Sequence, residues 1–282
     1  MRDLLRFEFR RLFLRTSLYV CIGVVLIPVI FMFIITAATS NTDGGNFLFF
    51  AVTNYQILSM MIGAGNLTTI SIIFTSIFVC EDQARGTIKT IHSLGYSKFK
   101  LFFAKYIASA SASVMMFLAV TFLGLICSQI YGKSYEEASH SGLFLSLYSA
   151  ENEPDIYIYI VQQLTVILAV HSFYFLVAQM VQKTGLSIVL GIFLPGLISG
   201  GVGIIATMLS SIVQDNQVLA EKIQEAYMTF MMYWLPTNTL SISSLLSLVG
   251  SLIYPVSILV NIGYVIVFTG AAALVSYKKE IK

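Results

Sequence analysis

The sequence predicts an all-α membrane protein with six transmembrane helices. Of its 282 residues, 57% are hydrophobic and only 11% are charged, whereas soluble globular domains carry about 25% charged residues. Six runs contain no Asp, Glu, Lys or Arg, and each exceeds the about 20 residues that a helix needs to cross a bilayer. These runs are residues 16–42, 44–80, 106–132, 156–182, 184–214 and 226–277. We therefore expect a single transmembrane domain over residues 1–282.

The basic residues indicate which helix ends face the cytoplasm. Lys and Arg accumulate in cytoplasmic loops, and all but Lys133 and Lys222 fall in four segments: residues 1–15, 81–105, 183 and 278–282. Both termini are then cytoplasmic and the number of spans is even, in a multi-pass protein of a bacterial-type cell membrane. We predict spans near residues 17–39, 56–80, 104–131, 157–181, 186–212 and 253–276.

The N-terminal segment, residues 1–15, has the pattern of an amphipathic helix. Apolar Leu5, Phe9 and Leu12 alternate with basic Arg2, Arg6 and Arg10 at helical spacing. This pattern is typical of a helix that lies in the headgroup layer. The alternative is that the arginines act only as a signal that orients the first span.

Residues 81–105 predict a short cytoplasmic helix between two turns. Gly86 can end the second span, Thr87 can cap a new helix, and Gly95 can end that helix. Ser97 then caps the third span. Within the short helix, Ile88, Ile91 and Leu94 share one face. Because so short a helix is marginal in water, its apolar face needs a partner; a simple connecting loop is the alternative.

The last uncharged run, residues 226–277, is long enough for two spans joined by a tight turn. Pro, Thr, Asn and Ser residues interrupt its first half, at positions 236–238, 241, 243, 244 and 247. Irregular backbone at membrane depth is tolerated only where protein buries it or where it lines a cavity. This favours an outer-side loop over residues 213–252 with a re-entrant segment before the sixth span.

The cytoplasmic loop resembles the loop between the second and third helices of ABC-2 type transporter permeases. The residues that carry the resemblance are Glu81, Gly86, Thr87, Ile88, Lys89, Ser97, Lys98 and Lys105. The layout is also similar: a basic N-terminal elbow helix over residues 1–15, six spans, and a re-entrant outer segment between spans five and six.

The resemblance implies that this chain is the permease subunit of an ATP-driven exporter. The short helix of the loop would dock onto a cytosolic ABC ATPase subunit. The expected coupling residues are Glu81, Arg85, Gly86, Thr87, Ile88, Lys89, Ile91, His92 and Leu94. The permease would work with a second copy or a related permease, within membrane lipid and without nucleic acid.

The sequence predicts no ATPase site of its own. The single Gly-Lys-Ser is residues 132–134, and a Walker A loop would need Gly at position 127, where Cys127 stands. We expect a transport subunit that is not an enzyme and holds no cofactor, with ATP and magnesium bound by the partner subunit.

The predicted cargo is hydrophobic or amphipathic, such as an antimicrobial or other peptide, because the spans are apolar and hold no deep charged residue. The candidate path residues are Asn66, Thr69, Thr75, Gln163, His171 and Pro195. For His171, a hydrogen bond between packed helices competes with a proton relay or substrate contact. Glycines around Pro195 mark span five as the most breakable helix, which we expect to move at a dimer interface.

Two other classes of protein compete with the exporter. A secondary transporter or channel without an ATPase partner should show internal repeats, and residues 1–140 show none with residues 141–282. An intramembrane enzyme should carry a motif such as HExxH or GxSxG, and neither is present.

Overall fold

The structure, a computed structural model, describes residues 1–40, 61–62, 66–84, 95–131, 156–212, 219, 221–223, 225–227 and 253–278. All regular secondary structure within these ranges is helical, which confirms the all-α prediction. The helices are α1 (Arg2–Leu14), α2 (Thr16–Ser40), α3 (Leu67–Ala84), α4 (Lys98–Tyr131), α5 (Ile156–Val181), α6 (Thr184–Ile212) and α7 (Ile253–Lys278).

Five helices in the described part of the chain are long and apolar enough to cross a membrane: α2, α4, α5, α6 and α7. Each coincides with a predicted span. The α4 helix begins at Lys98, earlier than the predicted start at residue 104, because Ser97 caps it. The Lys100 N–H donates to Ser97 Oγ at 3.3 Å, as the sequence predicts. These lengths are compatible with a multi-pass membrane protein.

The second predicted span, residues 56–80, is not one uninterrupted helix. Asn66 has a φ of 45°, in the left-handed region, and α3 starts at the next residue. The Thr69 hydroxyl donates to Asn66 Oδ1 at 2.9 Å. Asn tolerates this backbone conformation because its short polar side chain makes local hydrogen bonds. The apolar part of α3, Leu67–Glu81, is therefore shorter than the five long helices.

Helix α5 lies at the centre of the bundle and contacts α3, α4, α6 and α7. Over an apolar stretch of 18 residues, 67% of the α5 residues are buried, against 12% for α6 and 11% for α7. Its Phe175 joins Phe74 and Phe78 of α3 and Phe117 of α4 in the largest hydrophobic core. The outer helices α6 and α7 leave most of their apolar surface uncovered.

Helix α6 approaches α3 and α5 closely at a glycine. A Cβ added at Gly191 would lie 2.8 Å from Ile72 Cγ2 of α3 and 3.6 Å from the Tyr174 ring of α5. Glycine therefore sets the distance between these helices. Despite Pro195, α6 is a continuous helix from Thr184 to Ile212.

Helix α1 packs against α4 through residues that stand four apart. Leu4, Glu8 and Leu12 are its buried residues, while Leu5 and Phe9 are only partly buried. Leu12 belongs both to this buried stripe and to the apolar residues that the sequence indicated, and Leu5 and Phe9 pack beside the cores as partly buried residues. The placement of α1 in the headgroup layer stays a prediction. Positions four apart share a side of a helix, and Leu4 packs with Leu101 and Ala104 of α4.

Two predicted features lie outside the described residues. The short cytoplasmic helix over residues 87–94 falls there, and so does the re-entrant segment predicted within residues 226–252, apart from residues 226 and 227. At the edge of the first, Gly95 is described and has a φ of 85°. This left-handed backbone, which favours glycine, is what a helix stop at Gly95 requires.

Candidate functional site

The predicted coupling loop connects α3 to α4, so that the described ends of these helices form its base. Glu81 lies in the last turn of α3. The other predicted coupling residues lie outside the described part of the chain: Arg85, Gly86, Thr87, Ile88, Lys89, Ile91, His92 and Leu94. The structure therefore describes the contacts at the base of the loop, where α3 ends and α4 begins.

An ion pair joins this base to the N-terminal helix. Arg15, between α1 and α2, donates from Nη1 to Glu81 Oε2 at 3.1 Å, and the two side chains are 15% and 32% exposed. The Arg15 guanidinium also lies 4.9 Å from the centroid of the Phe78 ring, a distance suited to a cation–π contact. Arg15 therefore ties the junction of α1 and α2 to the end of α3.

A second set of charges lies deeper at the same place. Glu8 of α1 is fully buried and its Oε2 lies 3.5 Å from Arg11 Nη1. Lys105 of α4 is 3% exposed and interacts electrostatically with Glu8. Buried charges persist in proteins when they are paired. We call Glu8, Arg11, Arg15, Glu81 and Lys105 the basal cluster; it joins α1, α3 and α4.

The sequence analysis did not identify Glu8 as part of this site. Residues 1–15 contain five Arg but only two acidic residues, Asp3 and Glu8. Glu8 stands four residues from both Leu4 and Leu12, so that the three share a face. An acidic residue on the apolar face of a basic helix was the available signal.

The second polar site surrounds His171 in the middle of the bundle. Thr75 Oγ1 of α3 lies 3.2 Å from His171 Nδ1. Two α4 hydroxyls also reach the ring: Ser113 Oγ lies 3.1 Å from Nδ1 and Ser109 Oγ lies 3.1 Å from Nε2. All four side chains are buried. We call Thr75, Ser109, Ser113 and His171 the His171 node.

The His171 node satisfies the imidazole with hydroxyl groups alone. A hydroxyl can donate or accept, so that either neutral tautomer of the ring finds partners. Next to the node, Tyr106 and Ser172 place their hydroxyl oxygens 2.6 Å apart, which adds a link between α4 and α5. The helix-packing alternative for His171 predicts such contacts.

The remaining candidate path residues lie away from the His171 node. Asn66 and Thr69 contact each other at the start of α3. Gln163 is buried on α5, eight residues before His171 and so about 12 Å along the helix. Pro195 is buried within α6. Of the predicted set, the structure brings together Thr75 with His171 and Asn66 with Thr69.

Further polar contacts between helices involve residues outside the candidate path set. Ser187 Oγ of α6 lies 2.9 Å from Ser76 Oγ of α3. On α7, Asn261 Nδ2 donates to Thr165 Oγ1 at 3.3 Å, and Ser257 Oγ accepts from Gln162 Nε2 at 3.4 Å. The sequence feature that indicates these contacts is an isolated polar residue in an apolar run, since such residues hydrogen-bond across packed membrane helices.

Comparison with known proteins gives no relative. No protein-family model matches this chain, and no curated protein matches it. Within the residues that the structure describes, no group of three or more His, Cys, Asp or Glu could hold a metal ion. A proposed function therefore depends on the loop sequence and on the two polar sites at and above its base.

Proposed function

We propose that this chain is the permease subunit of an ATP-driven exporter. A separate cytosolic ABC ATPase, with ATP and magnesium, would dock onto residues 87–94 and drive export of a hydrophobic or amphipathic cargo, such as an antimicrobial or other peptide. Support comes from the motif between Glu81 and Lys105, from the five long apolar helices, and from the concentration of Lys and Arg on one side.

The observation that carries the proposal is the anchoring of the loop at both ends. Helix α3 enters the loop and α4 leaves it, and both belong to the basal cluster and to the His171 node. A push on the loop would then move α1 through Arg15 and Glu81, and α5 through His171.

The proposal includes a membrane topology of six spans with both termini in the cytoplasm. Helix α3, together with the chain before Asn66, would form the second span, and α1 would be the elbow helix. Residues 213–252 would form the outer loop with its re-entrant segment. The burial of Leu4, Glu8 and Leu12 against the bundle would make α1 a part of the transmission path as well as a membrane-surface helix.

The exporter would contain two permease chains, either two copies or a copy and a related chain. Gly196 and Gly200 stand four residues apart on α6, and both are exposed. A Cβ added at either would meet nothing within 4 Å. Small residues at this spacing let two membrane helices approach closely. We therefore place the contact between permeases on this face of α6.

Co-purification with an ATPase tests the proposal. The tagged full-length chain is extracted from its native membrane in mild detergent, and bound proteins are identified by mass spectrometry. We expect a subunit with a Walker A motif, accompanied by ATP hydrolysis. Deletion of residues 87–94 or Lys89→Glu should abolish this association, because each removes or inverts the docking surface.

Lys183→Glu is the matched control. Lys183 is an exposed lysine in the connection between α5 and α6, which the topology places on the same side of the membrane. This variant should keep the ATPase bound. The proposal would be contradicted if the chain without residues 87–94 bound the ATPase fully. Thermal unfolding must show that this variant is still folded.

A further inference from the structure

An open groove runs between α4 and α7 and belongs to neither polar site. Its volume is about 770 Å³ and its lining is almost entirely apolar. Phe99, Phe103 and Tyr106 line it from α4, and Val265, Gly270 and Tyr277 are among the residues that line it from α7.

The groove has the length of one leaflet of a bilayer. At about 1.5 Å per residue, Val265 and Tyr277 are separated by about 18 Å along α7. The hydrocarbon core of a bilayer is about 30 Å thick, so that one leaflet accounts for about 15 Å. An extended acyl chain is apolar and spans the same distance. The groove therefore fits a lipid chain that lies parallel to α7.

The groove extends to the basic end of both helices, where Phe99 and Tyr277 line it. Lys98 and Lys100 flank Phe99 in the first turn of α4, and Lys278 follows Tyr277 at the end of α7. At about 100° per residue, Lys98 and Lys100 stand on opposite sides of the stripe of Phe99, Phe103 and Tyr106. The topology places this end in the cytoplasm. Basic pockets between helices on that side bind anionic lipid headgroups.

The same charges disfavour a second copy of the chain as the occupant. A two-fold contact uses the same surface of both partners. A two-fold contact through this groove would bring Lys100 and Lys278 of one copy close to those of the other. Like charges that meet across an interface oppose association, whereas a phosphate group would satisfy them.

We infer that the groove between α4 and α7 is a binding site for an anionic phospholipid of the cytoplasmic leaflet. One acyl chain lies along Phe103, Tyr106 and Val265, and the phosphate lies between Lys100 and Lys278. The site requires no ATPase and no cargo, so it goes beyond the proposed exporter function. It rests on the proposed topology, and its test is separate from the docking experiment.

Lipid titration of the full chain in neutral detergent, followed by native mass spectrometry, tests this site. Phosphatidylglycerol and phosphatidylcholine with identical acyl chains are compared. A lysine near the membrane surface contributes about fivefold to the binding of anionic lipid, so that the pair predicts a preference of roughly 30-fold for phosphatidylglycerol. Lys100→Gln with Lys278→Gln should remove most of this preference, and Lys183→Gln should leave it unchanged.

A second pair of variants tests the groove itself. A Cβ added at Gly270 or at Gly263 would meet nothing within 4 Å, so that both tolerate a larger side chain. Gly270 lines the groove and Gly263 does not. Gly270→Leu should weaken the binding of both lipids at least about tenfold by filling the space, since an apolar side chain there replaces the acyl chain. Gly263→Leu should bind them as the parent chain does.

Three results would overturn the inference. The first is equal affinity of the parent chain for the two lipids, which needs no variant to fold. The second is unchanged phosphatidylglycerol binding by Gly270→Leu. The third is loss of dimer in the spectra of Gly270→Leu with lipid binding retained, which would identify the groove as a contact between copies.

Discussion

His171 and Glu8 are single residues whose burial depends on side chains from other helices. His171 is surrounded by hydroxyls of α3 and α4. Glu8 lies 3.5 Å from Arg11 of its own helix and interacts electrostatically with Lys105 of α4. Removal of one partner from a buried polar pair leaves the other without compensation. The loss of folding stability after a substitution at either site therefore depends on which polar groups stay buried without a partner.

At this scale we predict that His171→Ala lowers the free energy of unfolding by about 2–4 kcal/mol. Hydrogen bonds between membrane helices contribute about 0.6 kcal/mol each, and the cavity left behind adds to that loss. Chemical or thermal unfolding in detergent measures it. Ser111→Ala is the control, because Ser111 Oγ bonds to Ala108 O of its own helix at 2.7 Å; it should cost less than about 0.5 kcal/mol.

The same variant separates the two alternatives for His171. A packing role predicts lower stability, with transport lost in proportion to the folded protein lost. If His171→Ala kept the stability of the parent chain but lost transport, the proton-relay or substrate-contact alternative would replace the packing role.

Helices α1 and α3 are separate elements that the basal cluster joins. Arg15 has extended backbone, with φ −82° and ψ 122°, so α1 does not continue into α2. The position of α1 therefore depends on side-chain contacts with α3 and α4. Because Glu81 is the first predicted coupling residue and lies in the last turn of α3, the same contacts hold the start of the predicted coupling loop.

We predict that Arg15→Glu destabilises the chain by about 1–2 kcal/mol, because it places two carboxylates together in a half-buried site. Addition of Glu81→Arg should recover about half of this loss. Recovery is incomplete because the contact of Arg15 with the Phe78 ring is not restored. A double-mutant cycle measured by thermal unfolding gives the coupling.

Arg10→Glu serves as the matched control for this cycle. Arg10 is exposed on α1, and its reversal should change the free energy of unfolding by less than about 0.5 kcal/mol. If Arg15→Glu changed the free energy of unfolding as little as Arg10→Glu does, the Arg15–Glu81 pair would have no role in holding α1.

The helices in the described part of the chain form a bundle around α5, and apolar faces of α6 and α7 are exposed. A membrane offers these faces two partners, lipid or another protein. The groove beside α7 carries a basic rim and fits lipid, whereas the exposed face of α6 carries Gly196 and Gly200, which fit a second helix. The two faces therefore have different proposed partners.

For the assembly we predict that Gly196→Ile with Gly200→Ile converts a dimer into a monomer, because the branched side chains keep the α6 helices apart. Subunit counting by single-molecule photobleaching in lipid nanodiscs measures this. Gly23→Ile on α2 is the control, since a Cβ at Gly23 also meets nothing within 4 Å. A dimer that survives the double substitution would move the contact to another face.

Much of the fold could be predicted because its signals are local. Uncharged runs located the five long helices to within a few residues at most ends, since a chain in lipid must satisfy its backbone within each helix. Ser97 and Gly95 were predicted as helix boundaries from short-range chemistry. The break at Asn66 was not predicted, because asparagine in an apolar run signals packing as readily as a turn.

Local signals suffice to predict that the chain is helical and apolar enough for a membrane, because each property depends on neighbouring residues or on composition. That α5 is central, that Glu8 is buried and which hydroxyls meet His171 depend on how the helices pack. The contacts of His171 with Thr75, Ser109 and Ser113 join residues 96, 62 and 58 positions apart. Such partners follow from how the helices pack, and helical spacing along one segment does not specify them.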